Sequence, residues 1–402
     1  MQYATSEISD KGFLVDLSPS FYILICSMAT IRLLKNGIEA FPAMFGAVDR
    51  ATSSVAFEMY IFADDDTGRE FRAHLVKAAR RGIRVMVLVD GWGSRSLPDA
   101  FWDDLCDAGG TVRRFWPFSK GLFPFRDHRK LLLIDDCIAY VGGMNIADEY
   151  FLGSGEEEPW RDNTLEILGP EAARLQRSFM RMWRLADSPL RRLILRFRRV
   201  HGRQSIVGAG LRFLESGPEN PMRPVRRAYQ HVIHDAEKSI DLAMSYFYPH
   251  GRLMRAFKRA VKRGVHVRFL FPMKTDVPMA RWAARGLYGR LLRAGAEVWE
   301  YTPTMMHAKL AIADDTVIAG SANLDIRSGK INYELVAVVT DPMLAAKARA
   351  DFEDDLKRSV RINFEDWKKR PMLQKLKERF SFCLLARADI FVARMEMARR
   401  MR

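Results

Sequence analysis

The stretch HRKLLLIDDCIAYVGGMN (128–145) is answered about 180 residues later by HAKLAIADDTVIAGSAN (307–323). Each opens with a histidine and a lysine two apart. Each reaches an aspartate after four further residues (Asp135, Asp314) and ends in small residues and an asparagine. KLLLID (130–135) and KLAIAD (309–314) are apolar runs of strand length, and CIAYVGG (137–143) and TVIAGSAN (316–323) follow as second strands. The Asp-Asp pairs at 135–136 and 314–315 supply tight turns between them. In an extended strand, residues two apart share a face, so His128 points with Lys130 and His307 with Lys309.

The duplication extends outward. AVDRATSSVAFEMYIF (47–62), FRAHLVKAARRGIRVMVLVD (71–90) and LCDAGGTVRRFWP (105–117) precede the first stretch. VIHDAEKSIDLAMSYFYP (232–249), LMRAFKRAVKRGVHVRFLFP (253–272) and LLRAGAEVWEYTP (291–303) precede the second in the same order. Solenoid repeats have far shorter periods, so this is a duplicated domain. RVMVLV (84–89) and HVRFLF (266–271) are strands, each preceded by a helix: Phe71, Leu75, Ala78 and Ala79 in one copy, Leu253, Phe257, Ala260 and Val261 in the other. Gly82 and Gly264 stand where those helices should stop. The expected class is α/β: two duplicated domains, each a largely parallel or mixed β-sheet flanked by helices. The boundaries expected are an amino-terminal segment 1–35, a first domain 36–186, a basic linker 187–207, a second domain 208–362 and a basic tail 363–402.

Composition narrows the class. The chain has 402 residues, 48% hydrophobic and 28% charged, which excludes general disorder. Lys and Arg number 64 against 49 Asp and Glu, and the net +15 calls for an anionic partner: nucleic acid, anionic lipid or a phosphorylated substrate. The uncharged run 17–31 falls short of the about 20 residues a membrane-spanning helix needs, and no basic start marks a signal peptide. Cys26, Cys106, Cys137 and Cys383 lie far apart, with no zinc or disulfide spacing. RRLILRFRR (191–199) carries five arginines, and reads either as a solvated linker or as a surface facing anionic lipid. The tail 363–402 holds eleven Lys or Arg against five Asp or Glu. Its Leu373, Leu376, Phe380, Leu384, Phe391 and Met395 fall at near-helical spacing. That describes either a membrane-surface helix or a solvated helix packed on the domain.

The paired half-sites define a chemistry. Together they offer two imidazoles, two ammonium groups and two amides (Asn145, Asn323) around one small volume, which suits a phosphate. Gly142, Gly143, Gly320 and Ser321 let the backbone approach such a ligand. One histidine can attack phosphorus while the other protonates the leaving oxygen. No carboxylate cluster with metal spacing accompanies them, so neither metal nor cofactor is expected. His201, His231, His234 and His250 fall outside the motifs and read as structural, and Met305 and Met306 as wall or core.

The two motifs resemble the HKD motifs of the phospholipase D superfamily. The longer strings HRKLLLIDDCIAYVGGMNIADEY (128–150) and HAKLAIADDTVIAGSANLDIRSGKINYE (307–334), with EAFPAMFGAVDRA (39–51), resemble bacterial cardiolipin synthases of the branch lacking amino-terminal transmembrane hairpins. The resemblance implies one active site shared at a pseudo-two-fold interface. It implies His128 as nucleophile through a phosphohistidine, His307 as general acid and then base, and Lys130, Lys309, Asn145 and Asn323 as phosphate ligands. It further implies that Glu334 in INYE serves His128 and Asp162 in PWRDN serves His307, each across the interface. In this reading Asp135 and Asp314, although part of the motifs, brace turns. The expected activity is transfer of a phosphatidyl group from phosphatidylglycerol to a second phospholipid alcohol. The expected partner is an anionic phospholipid membrane, met peripherally at the bacterial cell membrane, with no nucleic acid. Hydrolysis of phospholipid or nucleic acid by the same fold, and a catalytically dead membrane scaffold, are the alternatives, and intact motifs in both halves argue against the scaffold.

Overall fold

The computed structural model describes residues 30–116, 125–187, 206–207, 210–218, 223–249 and 251–399; the arginine run 191–199 lies outside the described residues. In the first half, strands β1 (Thr30–Lys35), β2 (Ser54–Met59), β3 (Arg84–Asp90), β4 (Thr111–Phe115), β5 (Leu131–Ile134), β6 (Ile138–Gly142) and β7 (Asn163–Leu168) form one sheet, ordered β1-β7-β6-β5-β2-β3-β4. The second half adds β8 (Ile206–Val207), β9 (Leu211–Ser216), β10 (Ser239–Met244), β11 (His266–Lys274), β12 (Glu297–Met305), β13 (Lys309–Ala313), β14 (Thr316–Gly320), β15 (Glu334–Thr340) and β16 (Ser359–Arg361). Its order, β16-β12-β11-β10-β13-β14-β15-β9-β8, repeats the first sheet with one extra strand at each edge. β1 and β8 belong to the segments read from sequence as an amino-terminal segment and a basic linker.

Among the pairings, β2 with β3, β3 with β4, β10 with β11 and β11 with β12 are parallel, and the rest are antiparallel. The sheets are therefore mixed, and "largely parallel" overstates it. The cause is local: short turns join β5 to β6 and β13 to β14, and a short turn can only reverse a chain. Asp135 (φ 50°), Asp136 (φ 53°) and Asp314 (φ 47°) take the left-handed conformation those turns need. The helices Asp66–Arg80 and Gly251–Lys262 end with a single residue between them and Gly82 (φ 85°) or Gly264 (φ 91°), as their sequences predict.

Side-chain alternation divides the core into layers. Leu131 and Leu133 face a core that also takes Leu310 and Ile312 from the other sheet, so one apolar layer joins the two halves. Leu132 and Ile134 turn outward to a separate core under the first half's helices, and Ala311 and Ala313 do the same in the second. Among the described residues, no helix is long and apolar enough to cross a membrane.

Candidate active site

The halves exchange backbone as well as apolar contacts. Tyr333 donates its amide to Arg126 O (2.8 Å) and accepts from the His128 amide (3.1 Å). In the mirror-related place, Arg161 donates to Met305 O (2.9 Å) and accepts from the His307 amide (2.7 Å). Each histidine segment is thus pinned to the acid-bearing segment of the opposite half. The consequence is direct: His128 Nδ1 lies 3.0 Å from Glu334 Oε2, and His307 Nδ1 lies 2.8 Å from Asp162 Oδ2. A carboxylate at Nδ1 fixes that nitrogen as the protonated one and leaves Nε2 as the lone-pair nitrogen of the neutral ring. Both histidines line one cavity of about 580 Å³, with Asn145 and Asn323.

Further bonds hold these groups. Ser321 donates its hydroxyl to Glu334 Oε2 at 2.5 Å. Asn145 accepts from the Ile61 amide (3.2 Å) and donates to the Tyr150 hydroxyl (2.9 Å), which itself lies 3.1 Å from His307 Nδ1. Asn323 accepts the Ser245 hydroxyl at 2.7 Å, so the –NH2 end of its amide is left for an oxygen. Lys130 donates to His128 O at 2.7 Å, and Lys309 likewise to His307 O. Lys309 Nζ also lies 2.9 and 3.1 Å from the two ring nitrogens of His307. The buried Asp90 accepts the Asp127 amide at 2.8 Å and so fixes the approach to His128.

The electrostatics are those of a cationic site taken out of water. Burial, then the Lys130 and Lys309 charges, holds His128 well below its ordinary value. Burial and Lys309 lower His307, against the opposing pull of Asp162. Burial brings Lys130 down to about 7 and Lys309 to about 8, and pushes Glu334 up to about 7.

Of the sequence candidates, His128, His307, Asn145 and Asn323 line the cavity, while Lys130, Lys309, Asp162 and Glu334 are buried behind the histidines; two further sets lie elsewhere. Asp135 and Asp314 sit at the far ends of β5 and β13 from the histidines. Asp135 accepts the amides of Thr52, Ser53 and Ser54 (2.7–2.9 Å), and Asp314 those of Glu237, Lys238 and Ser239 (2.7–3.0 Å). They anchor the starts of β2 and β10, as the turn-bracing reading expects, and are not catalytic. Gly142, Gly143, Gly320 and Ser321, expected against a phosphate, do not line the cavity and lie instead against the acid-bearing strands. A Cβ on Gly143 would meet Asp162 Oδ1 at 2.5 Å, and one on Gly142 or Gly320 would meet the neighbouring β7 or β15 at 2.4–2.6 Å. The small residues make room for the acid-bearing strands.

Sequence reasoning also missed the cavity's aromatic wall. The Tyr60 ring stands 4.7 Å from His128, and Tyr150, Trp160 and Tyr246 surround His307 at 5.5–6.3 Å. Arg327 and Asp276 complete the lining. Trp160 lies two residues before Asp162, and Arg327 lies inside the second motif string. Adjacency was the only signal available. Among the described residues, no group of three or more His, Cys, Asp or Glu is placed to hold a metal.

Comparison with known proteins agrees in sequence and in shape. The family profile described as "Cardiolipin synthase, PLD-like domain" matches residues 44–183 and 229–356. Cardiolipin synthase 1 of Bacillus cereus is 32% identical over 364 residues, 87% of this chain and 71% of the relative. Cardiolipin synthase A of Pseudomonas putida GB-1 is 34% identical over 353 residues, 86% of this chain and 72% of the relative. The crystal structure of phosphatidylserine synthase from Haemophilus influenzae Rd KW20 superposes with a TM-score of 0.71 at 16% identity, over 90% of this chain and 94% of that one, which establishes the shared fold.

Proposed function

The chain belongs to the cardiolipin synthase family of paired phospholipase D-like domains, and from that premise we infer that it moves a phosphatidyl group from phosphatidylglycerol to the hydroxyl of a second phosphatidylglycerol. It is a phosphatidyltransferase of the cardiolipin synthase type. One observation carries the mechanism: two histidines on one cavity, each with Nδ1 held by a carboxylate from the opposite half.

The donor's phosphodiester sits among Lys130, Lys309, Asn145 and Asn323, whose donors offset the charge on its non-bridging oxygens. Its negative charge favours the protonated lysines and a protonated His307. Nε2 of neutral His128 attacks phosphorus, and the bond from phosphorus to the glycerol headgroup oxygen breaks. His307 gives that oxygen its proton, so glycerol leaves and a phosphohistidine remains. His307, now neutral, takes the proton of the acceptor's hydroxyl. The acceptor oxygen attacks phosphorus, the N–P bond breaks, and His128 is restored as cardiolipin departs. Burial of the imidazoles supports the unprotonated starting form of His128 at neutral pH.

The substrates are bilayer lipids, so the protein works peripherally at an anionic bacterial membrane, in keeping with its +15 charge. Purified protein with phosphatidylglycerol vesicles at neutral pH should release one glycerol per cardiolipin formed, and both products should vanish in His128→Ala and His307→Ala. Phosphatidic acid in place of cardiolipin would make water the acceptor and overturn the transferase reading.

A further inference from the structure

Between Met372 and Leu385, the helix Met372–Arg399 packs Phe382 and Leu385 inward near Ala280 and Ala283 and carries a second apolar row outward. Its inner face packs against the helix Pro278–Leu292: Glu378 is 2% exposed and pairs with Arg285 and Arg370 there. On the outer side Leu373, Leu376, Phe380 and Leu384 recur at i, i+3, i+7 and i+11, which is one stripe of an α-helix. They are 79%, 57%, 65% and 37% exposed. A contiguous row of large apolar side chains in water is unfavourable unless something covers it.

Charge and position say what covers it. Lys377 and Arg379 flank the stripe, and between 372 and 385 the sole acidic residue is the buried Glu378. A groove of about 450 Å³ runs beside the stripe between the two helices, lined by Leu373, Trp282 and Lys377 and by Arg281, Arg285 and Glu378, whose charges are paired with one another and with Glu300. The same two helices border the catalytic cavity. Leu385, next to the last residue of the stripe, lines that cavity, and so does Val277, the 41% exposed residue that precedes the helix Pro278–Leu292.

We propose that this stripe and its basic flanks form a docking face for an anionic phospholipid bilayer. Leu373, Leu376, Phe380 and Leu384 enter the headgroup–acyl boundary, Lys377 and Arg379 beside them meet anionic headgroups, and the cavity mouth beside Leu385 is held at the lipid surface. A substrate headgroup then reaches His128 and His307 while its acyl chains stay in lipid. The phosphatidyl-transfer reading supplies the reason for a bilayer here, and the docking face deepens it.

The test compares the full chain with a Leu376→Glu/Phe380→Glu variant. Co-sedimentation uses vesicles of equal phosphatidylglycerol and phosphatidylcholine. Activity uses a short-chain phosphatidylglycerol dispersed as monomers. Both positions are exposed, so the fold tolerates the change. Vesicle affinity should fall at least about tenfold, with short-chain turnover within about twofold of the parent. Unchanged vesicle binding would overturn the proposal, as would a loss of short-chain turnover equal to the loss of binding. Conversion of a dimer to a monomer with vesicle binding intact would assign the stripe to a second copy and overturn it too. Should the parent make no lipid product while the variant still loses vesicle binding, the docking face stands and the transferase reading falls.

Discussion

Glu334 and Ser321 on one side, Asp162 and Gly143 on the other, solve the same problem with different lengths of side chain. The longer acid carries a serine hydroxyl against it, and the shorter one packs against a bare glycine. Either way an imidazole Nδ1 is fixed. Glu334→Gln and Asp162→Asn keep the shape but remove the partner for an imidazolium, so each should lower turnover about 10²–10⁴-fold with the melting temperature nearly unchanged. The lysines set the other side of the pH profile. Lys130 and Lys309 titrate at about 7 and about 8 in the free site, and losing those protons weakens the hold on a phosphodiester. The kcat/KM profile should therefore fall through that window as pH rises, and Lys309→Arg should move its alkaline limb upward. The histidines and lysines were legible in the sequence because one-in-two strand spacing puts each pair on one face. The glycines misled because the room a missing Cβ leaves looks the same whether a ligand or a neighbouring strand fills it. The aromatic wall left no periodic trace, since Tyr60, Trp160 and Tyr246 come from three separate segments.

At the level of the strand, the two halves differ at the residue between histidine and lysine. Ala308 faces the shared core, and Arg129 does so in the first half, fully buried. Register places Glu58 opposite Leu131 and Ala243 opposite Leu310, so an Arg129–Glu58 pair (3.0 Å) stands where the other half has two alanines. Ser178 also accepts from Arg129, at 2.7 Å. Removing one member of a buried pair strands the other, so Arg129→Met should cost about 3–5 kcal/mol in urea denaturation. Adding Glu58→Leu should recover about half of that or more. Gly143→Ala tests the other structural role assigned to an element. Its methyl would displace the Asp162 carboxylate by contact, lowering activity roughly 10²-fold while vesicle binding stays at the parental level. The sequence disclosed which strands exist, through the repeat, and the two tight reversals at the Asp-Asp turns, but not the antiparallel pairings β2–β5 and β10–β13, whose strands lie far apart in the chain.

For the whole molecule, a lysine buried for catalysis is a burden on folding. Lys130 has a folded value near 7 against an ordinary 10.5, so the unfolded chain binds the proton more tightly. The deficit is present at neutral pH and disappears as pH rises toward 10.5. Lys130→Met should accordingly abolish turnover yet raise the melting temperature by about 2–4 °C at pH 7.5, and the gain should shrink toward pH 10. The domain order was legible because the duplication is nearly complete. The exchange of acids between halves was legible only through family resemblance, since nothing in the spacing of residues 206 apart announces contact. That separation has a bearing on biosynthesis. A ribosome releases His128 long before Glu334, and Asp162 long before His307. A nascent or prematurely terminated chain therefore carries every group of the first motif with its imidazole unanchored. Phosphoryl chemistry is withheld until the second half has been made and folded against the first, so the protein acquires its reactivity in a single late event.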